Sequence, residues 1–222
     1  MRIGIMQGYF FPYIGYFQLI NAVDIYVNLD HVSFMKRSYM TRNTIKNGVG
    51  INIPVYGGSQ NKSCTQVKVN NGNNYQINFL KTIDHLYHKH SPYYEEVLNQ
   101  LILPFPPINS SISQFNLAYI KRICNYLDIK TTIIDSSVGM TNKKKGEGLK
   151  EIVCNLNGDS YINAIGGKEL YFKDDFRLDG IRLSFIKMGE VQFENPYTSI
   201  LDLLFTYPKE YIKEQLNKYE LI

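Results

Sequence analysis

The side chains best equipped to handle an anionic, ring-bearing ligand lie between residues 30 and 46. Lys36, Arg37, Arg42 and Lys46 are interleaved there with Phe34 and Tyr39. Guanidinium forks match phosphate oxygens in pairs, and aromatic faces suit a base or a sugar ring. A diphosphate-containing small molecule fits that set; a solvated basic loop is the other reading. Asp30 and His31 stand just ahead of the cluster. An imidazole near its neutral-pH midpoint can act as general base, with Asp30 orienting it or taking the proton itself. A loop histidine with no catalytic task is the alternative. Asn163 is followed by Gly166 and Gly167, and two adjacent glycines let backbone N–H groups gather around an anion or merely allow a turn. Asp84, His85 and His88 fall on one helical segment, with Asp84 and His88 at i, i+4. That is metal-ligand spacing, but no second carboxylate motif accompanies it, so a solvated helix end is favoured over a metal site and no metal ligand is assigned. A nucleophile–base–acid triad, a Walker loop and a dinucleotide Gly-x-Gly-x-x-Gly are all missing from the sequence.

These groups are positioned by an alternation of strands and helices. Ile3 and Ile5 mark a short buried strand, and Gly8 permits the turn that follows it. Pro12 suits the first turn of a helix, and Gly15 one turn on leaves the helix surface bare for a ligand phosphate or a neighbouring strand. Asp24–Asp30 alternates as a second strand, so strand, helix and strand form a parallel βαβ unit. Ligands of such sheets bind beyond the carboxyl ends of the strands. Gln7–Tyr13 and Asp30–Arg37 both follow strand ends and are expected at one mouth.

Gly50–Val55 and Thr65–Val69 predict a small hairpin inserted at about 48–70, and Asn70–Asn74 reads as turn material. Helices follow over about 75–89, after Ser91-Pro92, and over about 112–127, giving a helical middle segment at about 75–128. Thr131–Asp135 predicts a third strand, with Ser136-Ser137 and the lysine run Asn142–Glu147 as a phosphate clamp or a solvated loop. A helix over 147–157 is expected to end on Gly158 as a left-handed cap. Strands at Ser160–Asn163 and Ile181–Ile186, a Ser199–Asp202 capping box and a polar, peripheral final helix Lys209–Tyr219 complete the chain. The expected fold is α/β: a mainly parallel sheet flanked by helices, in one domain spanning 1–222.

The bulk properties narrow the function. The chain has 222 residues and net charge +4, from 24 basic and 20 acidic residues. That excess is small and scattered, so sequence-specific nucleic-acid binding is not expected, while an anionic small ligand is compatible. Eighteen tyrosines and no tryptophan suit a cleft lined for a sugar or nucleotide, or a core filled with rings. Cys64, Cys124 and Cys154 are odd in number and far apart, so no disulfide framework is expected, and Cys124 and Cys154 fall on apolar helical positions. Neither a leader nor a transmembrane segment is expected, which points to a reduced, cytoplasmic protein. The oligomeric state is left open.

A family resemblance is carried by the first stretch. Gln7-x-Tyr9-Phe10-Phe11-Pro12-Tyr13-Ile14-Gly15-Tyr16-Phe17-Gln18-Leu19-Ile20 resembles the opening signature of the WbqC-like family. Asp30-x-Val32-x-Phe34-x-Lys36-Arg37, Arg42-Asn43, Tyr161-Ile162-Asn163-x-x-Gly166-Gly167, Gly180-Ile181 and Ser199-Ile200-Leu201-Asp202 match as well. Gly8 departs from the pattern, where proline is expected. The resemblance implies a place in bacterial surface-polysaccharide (O-antigen) biosynthesis and transfer of an aminoacyl or acyl group to a nucleotide- or lipid-linked amino sugar. It implies ligand contacts from Gln7, Pro12, Tyr13, Gly15, Tyr16, Arg42, Asn43, Asn163, Gly166 and Gly167. The donor stays open between a nucleotide, a nucleotide-sugar and a CoA-type molecule.

Pro12-Tyr13-Ile14-Gly15-Tyr16 is also similar in position to the His-x-Gly-His motif of nucleotidylyltransferases and pantothenate synthetases. That likeness implies a Rossmann-like fold. Tyrosines in place of the histidines speak against shared adenylyl transfer. A nucleotidyl-transfer or adenylate-forming enzyme and a non-catalytic nucleotide-sugar-binding module are the alternative functions.

Overall fold

The computed structural model describes residues 1–135 and 145–222. Ser136, Ser137 and the first half of the run considered above (142–144 of Asn142–Glu147) lie outside the described residues. Apolar alternation produces β1 (Arg2–Met6), α1 (Ile14–Asn21) and β2 (Ile25–Asn28). Two small ribbons follow: β3 (Arg42–Ile45) with β4 (Val49–Asn52), and β5 (Val55–Tyr56) with β6 (Lys68–Val69). The middle of the chain is helical, with α2 (Asn73–Tyr87), α3 (Tyr94–Val97) and α4 (Ile112–Tyr126). Then come β7 (Thr132–Asp135), α5 (Lys145–Asn155), β8 (Ser160–Ala164), α6 (Lys173–Arg177) and β9 (Arg182–Met188). The chain closes with α7 (Ile200–Thr206), α8 (Lys209–Gln215) and β10 (Tyr219–Leu221).

The central sheet runs β10-β9-β8-β1-β2-β7. Its first five strands in sequence are parallel, and β10 joins β9 antiparallel. From β1 the chain winds outward through β2 to β7, then returns to the other side of β1 as β8. The strand order therefore reverses between β1 and β8, which is where doubly wound sheets open a crevice for ligands.

Period-two alternation sends side chains to both faces. Ile3, Ile5, Tyr161, Leu183 and Phe185 pack with Leu149, Val153 and Phe176 from α5 and α6. Tyr26, Ile162 and Ile186 face the larger cluster built by α1, α2, α4 and α7. A fully buried side chain of this kind contributes roughly 1.5–3 kcal/mol.

The parallel α/β fold agrees with the sequence reading, and several local details differ from it. Val49–Asn52 pairs with Arg42–Ile45 and not with residues 65–69. The cause is a tight turn at Asn47 (φ 58°) and Gly48 (φ 70°), an Asn-Gly pair of the kind that closes hairpins. Arg42 and Asn43 consequently stand on a strand. The final helix stops at Gln215, and the residues after it add the sixth strand. Ile212 and Gln215 are buried, so α8 is not peripheral. Asn157, not Gly158, takes the left-handed conformation (φ 55°). Gly158 is needed because a Cβ there would lie 2.6 Å from Ile3 Cγ1. Cys124 is buried as expected, but Cys154 is exposed. No helix among the described residues is long and apolar enough to cross a membrane.

Candidate functional site

A cavity of about 780 Å³ opens at the β1–β8 crossover. Its floor is formed where strands end: Met6 and Gln7 after β1, Asn163 and Ala164 of β8, Lys187 and Met188 of β9. Tyr9, Tyr13, Tyr39 and Tyr197 surround it with rings, and Gly166, Gly167 and Leu170 close one side. Lys187 is the one lining residue with a formal charge at neutral pH among the described residues.

The turn beneath the cavity is held in a strained conformation by polar clamps. Phe11 has φ 42°, unusual for a bulky residue. Its carbonyl accepts hydrogen bonds from Asn43 Nδ2 at 2.7 Å and from Ser199 Oγ at 2.8 Å. Asn43 Nδ2 also reaches the Phe10 carbonyl at 3.2 Å, and Asn43 Oδ1 accepts from the Thr44 N–H. Asn43 therefore lines the cavity while its amide is committed to the turn. Pro12 is buried ahead of the helix cap Tyr13, two residues before the first helical position where it was expected, and its carbonyl accepts from the Ile200 N–H at 2.9 Å. Ser199 caps α7 as expected, whereas Asp202 departs from a capping box by accepting from the Tyr87 hydroxyl at 2.7 Å.

Gly8 does not use a left-handed backbone. Its space is taken by Asn28, whose Oδ1 would lie 2.9 Å from a Cβ there. Gly15 is bare for neither a phosphate nor a strand: the ring of Tyr13 folds over it. Tyr13 in turn stacks on Tyr197, with centroids 6.1 Å apart.

Tyr16 plays a different part from Tyr13. It is fully buried, and burial pushes its phenol far above the usual tyrosine range. Its hydroxyl donates to the Gln7 carbonyl at 2.7 Å and meets the Tyr26 hydroxyl in a short contact. The pair thus braces the end of β1. Asn163 Oδ1 accepts from the Ala164 N–H at 2.8 Å, which turns its Nδ2 towards Gly167. A Cβ at residue 167 would lie 2.9 Å from Asn163 Cγ, so glycine is what admits the amide.

Of the residues singled out in the sequence, Gln7, Pro12, Tyr13, Gly15, Tyr16, Asn43, Asn163, Gly166 and Gly167 line this one cavity. Lys36, Arg37 and Arg42 are exposed and are not among its lining residues. Asp30 and His31 are not in the lining either, although Leu29 next to them is. His31 Nε2 stands 3.5 Å from Asp30 Oδ1, with Asp30 largely buried and His31 exposed. His88 Nδ1 stands 2.9 Å from Asp84 Oδ1 on the surface, and no group of three metal-ligating side chains is found among the described residues. Tyr39, read in the sequence as an aromatic face for a base or sugar, lines the cavity, and Tyr197 and Lys187 line it without having been singled out as ligand contacts. Lys187 was legible as the residue at the end of a parallel strand; Tyr197 carries no such signal.

Uncharacterized protein Rv1507c of Mycobacterium tuberculosis (strain ATCC 25618 / H37Rv) is 24% identical over 221 residues, which is 94% of this chain and 95% of that protein. No solved structure matches the chain. The model of the WbqC-like protein family matches residues 7–214, from the floor of the cavity to the last helix. The chain belongs to the WbqC-like protein family.

Proposed function

We propose that the cavity binds a nucleotide- or lipid-linked amino sugar and that the protein transfers an aminoacyl or acyl group to it. The reading is carried by the cavity's position and lining: about 780 Å³ at the strand-order reversal, walled by tyrosine rings and neutral amides. Rings offer faces for the sugar and base. The amides of Gln7 and Asn163 offer donors and acceptors for hydroxyls. Lys187 at the end of β9 is the cation for a phosphate.

In the transfer, the sugar amine attacks the acyl carbonyl and a C–N bond forms. The C–S or C–O bond to the donor breaks, the leaving group departs with the donor, and the amine proton passes to a base. The Asp30–His31 pair, next along the chain from Leu29 of the wall, is the proposed acceptor of that proton. A nucleotidyl-transfer reading is weaker, because the Tyr16 phenol is neutral and engaged on the Gln7 carbonyl. The reading as a non-catalytic binding module draws support from the lining itself, in which Lys187 is the single charge among the described residues.

Calorimetric titration of UDP- and dTDP-linked amino sugars against wild type, Tyr13→Ala and Asn163→Ala tests the site. Binding that both substitutions weaken supports it; binding that neither changes removes it. Sugar mass is then followed with acyl-CoA and aminoacyl-tRNA donors. A mass increase lost in Asp30→Asn or His31→Gln, with sugar affinity retained, supports transfer. Tight binding without any mass increase favours the binding module.

A further inference from the structure

A second concavity lies between β4 and the start of α2. It measures about 740 Å³, within the range of small-molecule sites. Asn52, Asn70, Asn73, Asn74 and Asn78 line it, and no ionisable side chain other than the Tyr75 phenol does. Its floor is Phe79, which packs on Phe11 at 6.2 Å and on Tyr75 at 5.8 Å. Gly50 and Gly72 form part of the wall, and no atom stands within 4 Å of where their side chains would begin.

The Asn70–Asn74 run reads in sequence as a turn. Turn asparagines bond nearby backbone, and helix-start asparagines cap N–H groups. One member of the run does structural work: Asn71 is fully buried, and its Nδ2 donates to the Pro106 carbonyl at 2.8 Å. The cap position of α2 is Gly72, with no side-chain cap bond. Among the described residues, the side chains of Asn52, Asn70, Asn73, Asn74 and Asn78 make no hydrogen bond, so neither the turn nor the cap accounts for them. What remains is a set of neutral groups, each with two donors and an acceptor, around an aromatic floor.

Such a surface matches one ligand chemistry. Hydroxyl groups donate and accept alike, as amides do, and the C–H face of a pyranose packs on an apolar ring. An anion would call for cationic donors, which the lining lacks. We propose that this groove binds an uncharged saccharide segment, at a site separate from the crossover cavity. The proposal does not depend on what that cavity binds. The two concavities flank the same ribbon, since Asn43 of the cavity wall pairs with Ile51 of the groove wall.

The probes are maltohexaose, cellohexaose and chitohexaose, titrated into isotopically labelled protein while the asparagine side-chain amide resonances are followed. At least one should shift the Asn74 and Asn78 amides saturably. Both residues are exposed, so Asn74→Ala/Asn78→Ala should fold, checked by circular dichroism. It should bind about tenfold more weakly, the equivalent of one or two amide hydrogen bonds. Tyr13→Ala, in the other cavity, should leave this binding unchanged. Absence of shifts with all three probes would overturn the proposal, as would binding that survives the double substitution. Tighter binding of a hyaluronan hexasaccharide than of any neutral probe would overturn it too, by showing that charge is recognised.

Discussion

The ring of Tyr13 occupies the space that a side chain at Gly15 would need, its hydroxyl 2.9 Å from the position of a Cβ there. The atoms in the way are the far end of a side chain that can swing aside. Gly15→Ala should therefore fold, with a gain of helix propensity of up to about 1 kcal/mol to offset the disturbance. The displaced Tyr13 loses its stacking on Tyr197, and about 0.5–1.5 kcal/mol of ring contact with it. Thermal unfolding near the wild-type temperature with weakened ligand binding is the expected pair of results. A large drop in stability would show that the ring cannot move.

Tyr16 and Tyr13, three residues apart, should respond unequally to loss of the hydroxyl. Tyr16→Phe leaves the buried Gln7 carbonyl without its donor and the Tyr26 hydroxyl with only its longer bond to the Met6 carbonyl (3.3 Å), and should cost roughly 1–3 kcal/mol in urea unfolding. Tyr13→Phe should change stability little, because the Tyr13 ring is supported by packing. Equal effects of the two substitutions would contradict the bracing role of Tyr16.

Asp128 lies between Lys209 and Lys213, each Nζ 3.0 Å from Oδ2. Hydrogen bonds from Lys213 and Lys209 lower its carboxyl to about 2, from 3.8. A depressed carboxylate contributes stability above the unfolded value, and the contribution is lost as pH falls through the folded one. Asp128→Asn should therefore be less stable than wild type at pH 6, with the difference closing between pH 3.8 and about 2. Asparagine also tolerates the left-handed backbone at this position (φ 58°), so the substitution isolates charge. The difference should shrink in high salt, because the carboxylate is exposed.

The cysteines should separate by reactivity. Burial raises the Cys64 thiol to about 11 and the Cys124 thiol to about 12, so both stay protonated near neutral pH. Cys154 is exposed. Brief treatment with iodoacetamide should label Cys154 first by peptide mass mapping, with Cys64 and Cys124 labelled only after denaturation. Early labelling of Cys64 would show that the ribbon region opens readily.

Some of this protein was settled by its sequence alone. The βαβ opening and the parallel sheet follow from periodicity, because a strand with both faces buried and the helix crossing it each leave a local apolar pattern. The long first motif likewise carries the family without help from the fold. The Asn47-Gly48 hairpin has a local turn signal as well, but the reading of 50–55 against 65–69 passed over it. Other features depended on contacts between distant parts of the chain. Tyr197 reaches Tyr13, and Ser199 reaches the Phe11 carbonyl, only after α7 docks on the turn. The last strand forms because β9 leaves an open edge, not because Tyr219–Leu221 announces itself. Tertiary structure also sorted the candidate residues. Asn163 and Gly167 line one cavity with Gln7 at the β1–β8 crossover, while Lys36, Arg37 and Arg42 are exposed and outside its lining. Spacing along the chain locates a strand end; the direction in which the next loop leaves it is decided by what that loop packs against.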